Sequence, residues 1–126
     1  MALTNYRVET LNGFNFISLK GGTTTESGSA LTTFAGPAGQ YDLVLGYFDE
    51  DDRTFAQLEV KLNGVSLAQW TLTQKLGLIS VVSKNLVRRT VGVNLSLAPG
   101  DRIEIIGRES PDEPARVDYL QFIPVL

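Results

Sequence analysis

Few residues in this chain can do chemistry, and most are carboxylates and guanidinium groups. The last apolar stretch, Ala115-Arg116-Val117-Asp118-Tyr119-Leu120-Gln121-Phe122-Ile123-Pro124, carries Asp118 in its middle and Arg116 at its mouth. A carboxylate within an apolar strand needs a partner, because an unpaired buried charge is costly. The candidates are Arg7, Arg108, Arg116, backbone amides or a metal ion. A second acidic group is Asp49-Glu50-Asp51-Asp52. Four acids in one loop could supply oxygens to a hard cation, but the spacing is not that of an EF-hand. The blander reading, a solvated turn between strands, is preferred. There is no histidine and no cysteine. That excludes a Ser-His-Asp triad, thiolate chemistry and the usual zinc sites, and leaves oxygen-binding ions such as calcium. Glu59 and Glu104 lie on regularly alternating segments with no sign of the facing arrangement a glycosidase pair requires. An enzyme is therefore not expected.

The elements that position these groups read as strands. Short alternating runs are separated by Gly, Pro, Asn and Asp at intervals of about ten residues, the pattern of an all-β sandwich or barrel. Tyr6 to Thr10 is a weak first strand, followed by a turn at Asn12-Gly13 and a strand from Phe14 to Leu19. Gly21 to Ser29 has little to bury and is expected to be an exposed loop. Ala30 to Phe34 is the third strand. Tyr41 to Phe48 is nearly all apolar, as a central strand covered on both faces would be. Ala56 to Asn63 alternates cleanly, and Asn63-Gly64 is a strong hairpin signal. Val65 and Leu67 differ in parity from Trp70 and Leu72, so a bulge is expected near Ala68-Gln69. Trp70 is expected to pack on the sheet rather than meet a ligand. Lys75 to Asn85 is an edge strand or a long loop. Leu86 to Leu97 is a strand kinked at Gly92. Arg102 to Ile106 and the stretch carrying Asp118 complete the set.

With 126 residues, one domain (1–126) with a sizeable core is expected. The net charge is −3 and no basic patch stands out, which argues against nucleic acid. No apolar run is long enough to form a membrane helix, so no membrane is expected as a partner. The first residues have neither the basic nor the apolar region of a signal peptide.

Three pieces then carry a resemblance: Phe34 to Tyr47, Leu58 to Gly64, and Pro99 to Ile105 followed by Val117 to Leu120. In this order and spacing they resemble the carbohydrate-binding modules of the family 6 and family 35 type, over roughly residues 6 to 124. The resemblance implies an all-β sandwich of two antiparallel sheets with jelly-roll, galactose-binding-like topology. It implies a non-catalytic, lectin-like role on polysaccharide or acidic sugar, and an extracellular location. It also implies a structural calcium held by a Glu-x-Glu pair in the opening strand and an Asp in the closing one. Glu9 and Asp118 match two of those ligands, but Arg7 stands where the other glutamate would be, so calcium is expected only as an optional ion. The loop from Gln74 to Asn85 has no aromatic platform, and no Asn follows Asn94. The expected ligand contacts are therefore Arg116, whose guanidinium suits a uronate carboxylate, with Tyr47, Asp49, Asp51 and Phe55 around the acidic loop. The plainer alternatives are a salt bridge from Arg116 to Asp112 or Glu113, and core packing for Tyr47. The rival function is a structural or protein-interaction module forming a homo-oligomer through an exposed sheet edge.

Overall fold

The computed structural model describes residues 1–19, 27–50, 55–74, 85–110 and 115–126. Ten strands form two sheets: β1 (Ala2–Thr4), β2 (Arg7–Leu11), β3 (Phe14–Ser18), β4 (Ser27–Thr33), β5 (Gly39–Phe48), β6 (Gln57–Leu62), β7 (Val65–Thr71), β8 (Leu86–Leu97), β9 (Arg102–Arg108) and β10 (Val117–Pro124). The first sheet has the order β1-β4-β9-β6-β7 and the second β2-β3-β10-β5-β8, with every pairing antiparallel. The two sheets face each other across one core. Leu58, Val60, Ile103 and Ile105 from the first sheet meet Leu43, Leu45, Tyr47 and Val117 from the second. The expected two-sheet antiparallel sandwich is what forms.

Local chemistry explains the turns. Asn12-Gly13 and Asn63-Gly64 both have positive φ at each residue (53° and 84°, 49° and 84°). That is the primed turn whose twist matches a two-residue hairpin, and Asn and Gly tolerate it best. In β6, Leu58 and Val60 are buried while Gln57 and Glu59 face outward, as the alternation required. β5 is covered on both faces. Its outward Phe48 is fully buried in a second cluster with Phe16, Phe14 and Leu86.

Three expectations shift. A short strand, β1, precedes the expected first one and pairs with β4. β4 begins at Ser27, so the expected loop ends earlier, and residues 20–26 lie outside the described set. The bulge in β7 falls at Leu67, one residue before the expected place, because Val60 pairs with Ala68 and Lys61 with Ser66. The extra residue lets Leu67 and Trp70 both turn toward the core despite their unlike parity. The ambiguous stretch 75–84 lies outside the described residues.

Candidate functional site

The ends of β5 and β7 and the starts of β6, β8 and β10 meet at one rim of the sandwich. Backbone bonds link them: Phe48 N–H donates to Arg116 O, Asp49 N–H to Asn85 O and Leu72 N–H to Ala56 O. The structure brings Tyr47, Asp49, Phe55 and Arg116 to this rim, while Asp51 lies outside the described residues. Most of these side chains are inward structural groups. Tyr47 is buried, its ring 5.4 Å from Trp70, and the Arg89 guanidinium lies 4.5 Å from the Trp70 ring. Burial is the main influence that raises the Tyr47 hydroxyl above its usual pKa. Trp70 faces inward opposite Leu58, in keeping with the packing role expected of it.

The two described acids of the acidic loop, Asp49 and Glu50, are not solvated as expected, and Asp51 and Asp52 lie outside the described residues. Asp49 and Glu50 are each only 1% exposed. The Asp49 carboxylate accepts the Gln74 N–H at 2.9 Å, tying the two sheets together at the rim. Glu50 forms an ion pair with Arg116, whose guanidinium also lies 5.7 Å from the Phe16 ring. The Arg116 side chain is 19% exposed. Its partner is thus Glu50, and the expected alternatives, Asp112 and Glu113, fall outside the described residues. Of the expected ligand contacts, Phe55 remains open to solvent, at 37% exposure.

Asp118 and Glu9 are placed on different strands with β3 between them. Val117 pairs with Tyr47 and Tyr119 with Gly46, so Asp118 is the extra residue of a bulge in β10. Val117↔Ile17 is the single described pair joining β10 to β3. Beside it runs an apolar slot of about 200 Å³, lined by Asp118 with Phe16, Ile17, Ile105 and Val117 among others. Burial there raises the Asp118 carboxyl above the usual carboxylate range. Glu9 instead pairs with Arg7, Nε to Oε1 at 3.1 Å, and accepts the Ser18 hydroxyl on the same oxygen. Among the described residues no three acidic side chains converge as a metal group would.

The outer face of the first sheet holds a different kind of site. Ser27, Arg108, Gln57 and Thr71 form one row across β4, β9, β6 and β7, and Glu59 pairs with Gln69 in the next. Ser27, Gln57, Glu59, Gln69 and Arg108 line a polar groove of about 240 Å³. Phe55 lies on the chain leading into β6, two residues before Gln57. The sequence shows Gln57 and Glu59 only as the polar half of an alternating strand, Ser27 as part of a loop and Arg108 as lying beyond the expected end of its strand. Their convergence depends on register across four strands, which no local pattern reveals.

This architecture is that of a known class. The chain has the fold of the carbohydrate-binding modules of families 35, 6 and 36. No family model matches it. A family 35 module from Clostridium thermocellum superposes with a TM-score of 0.66 at 15% identity, covering 98% of this chain and 92% of that one. The same sandwich recurs in the Cry1Da tryptic core of Bacillus thuringiensis, with a TM-score of 0.66 at 15% identity, covering 97% of this chain and 21% of that one. In sequence, the chain is 33% identical over 107 residues to an alpha-glucuronidase of Hypocrea jecorina. That match takes in 80% of this chain and 12% of the glucuronidase.

Proposed function

We propose that this domain is a non-catalytic carbohydrate-binding module whose ligand lies along the polar groove on the outer face of the first sheet. The groove itself carries the reading. Two primary amides, a carboxylate, a guanidinium and a hydroxyl converge on a rigid sheet. Sugar hydroxyls both donate and accept, and amides and carboxylates offer matching groups in fixed geometry. Arg108 adds a planar fork for a carboxylate, so an acidic sugar such as a uronate is the favoured class. The likeness to a segment of an alpha-glucuronidase and to carbohydrate-binding modules supports this reading.

The groove holds one carboxylate, Glu59, among its lining residues. Glycoside hydrolysis in its usual form needs two, flanking the bond. We therefore read the groove as a binding surface.

Isothermal titration against glucuronoxylan, unsubstituted xylan and a β-glucan tests the proposal. Binding to at least one is expected, weakened at least tenfold in Gln57→Ala and Arg108→Ala, with the acidic polymer more sensitive to the arginine change. If none of the polymers binds, the function is wrong. If one binds and both variants bind equally well, the groove is wrong.

A further inference from the structure

The Glu9 carboxylate, a ligand of the calcium ion that the family resemblance implies, is already engaged by the protein's own groups. Arg7 and Glu9 are alternate residues of β2 and so share one face of the strand. Ser18 pairs with Arg7 in the register and Phe16 with Glu9. The Arg7 guanidinium donates Nε–H to Glu9 Oε1 at 3.1 Å, and the fully buried Ser18 donates its hydroxyl to the same oxygen. One carboxylate oxygen thus receives a cation and a hydroxyl, two contacts that a bound ion would have to displace.

We infer that the Arg7 guanidinium stands in for the divalent cation at this end of the second sheet, so that the domain folds independently of calcium. Calcium takes six to eight oxygen ligands, several of them carboxylates. At Arg7 the chain offers a fixed positive charge, which attracts Glu9 and repels a divalent ion. Asp118, the other carboxylate that the resemblance points to, is on β10, across β3 from Glu9, and lines the apolar slot. The guanidinium neutralises Glu9 and the serine ties it to β3. Together they brace β2 against β3 within the edge hairpin. This inference is independent of whether the polar groove binds sugar.

Thermal melting of the intact domain in 2 mM CaCl2 and in 2 mM EDTA tests it, beside Arg7→Glu and Arg7→Gln. Wild type is expected to melt at the same temperature in both buffers. Arg7→Gln is expected to melt a few degrees lower in both. Arg7→Glu puts a second carboxylate beside Glu9 and is expected to be destabilised in EDTA and to regain several degrees with calcium. A calcium-dependent rise of several degrees in wild type overturns the inference. So does an Arg7→Glu protein that binds no calcium by direct titration, because Arg7 then does not occupy an ion's place.

Discussion

Arg116→Ala tests how the rim is held together. The substitution leaves Glu50, 1% exposed, without the guanidinium that neutralises it. Removing one member of a buried ion pair costs about 3–5 kcal/mol, mostly the penalty of leaving the other charge buried. Two features place this case at the lower end, about 3 kcal/mol: Arg116 keeps some contact with water, and Glu50 has further interactions. The unfolding entropy of a chain this size is about 0.26 kcal/mol/K, so that loss corresponds to a melting temperature lower by roughly 11 °C. Urea denaturation at pH 7 gives the free energy directly. The loss should also depend on pH. In the variant, burial without a cation raises the folded-state pKa of Glu50 above its unfolded value. The folded state then binds the proton more tightly, so the deficit shrinks as pH falls through the raised value and grows as pH rises. Glu50→Gln should cost less, about 1–2 kcal/mol, because the partly exposed arginine can turn to water. A loss below about 1 kcal/mol for Arg116→Ala, or one that is the same at pH 4.5 and pH 7, would refute the argument that the pair neutralises a buried charge.

Two further outcomes follow from particular contacts. A Cβ added at Gly46 would lie 2.3 Å from Cε1 of Tyr119, which fills the space over that glycine. Gly46→Ala should therefore lower stability by about 1–3 kcal/mol, and an unchanged urea midpoint would show that the ring moves aside freely. Asp101 accepts the Ala98 N–H at 2.8 Å and the Asn63 side-chain amide at 3.1 Å, the first being the larger reason its carboxyl is held below the usual range. A lowered carboxyl stabilises the fold at pH values above its unfolded pKa and loses that contribution as pH falls through the folded value. The melting temperature of Asp101→Asn should thus lie below wild type at pH 6 and converge with it near pH 2. A gap that stays constant with pH would show that the charge is not what matters.

The sequence by itself indicated most of the strands and their Asn-Gly turns, though not β1 or the start of β4. Asn-Gly pairs prefer positive φ wherever they occur, and the alternation of β6 and the apolar run of β5 state which faces are covered without reference to the rest of the chain. It also settled which chemistries are excluded, since a chain without histidine or cysteine cannot assemble sites that need them. The sites were much less legible. The Asp49-Glu50 pair looked like a solvated turn because its composition is polar. The rim buries it, through an arginine 66 residues away and a backbone amide from β7's end. Asp118 looked like a residue in a regular strand, yet it is the extra residue of a bulge opposite Tyr47 and Gly46. Ser27, Gln57, Gln69 and Arg108 are unremarkable in their own strands, and become a groove only because antiparallel register lines them up across the sheet. Strand formation is governed by neighbours in sequence. Whether a carboxylate is buried, and which outward side chains meet, depends on how distant strands align, and that is decided only when the two sheets close on their core.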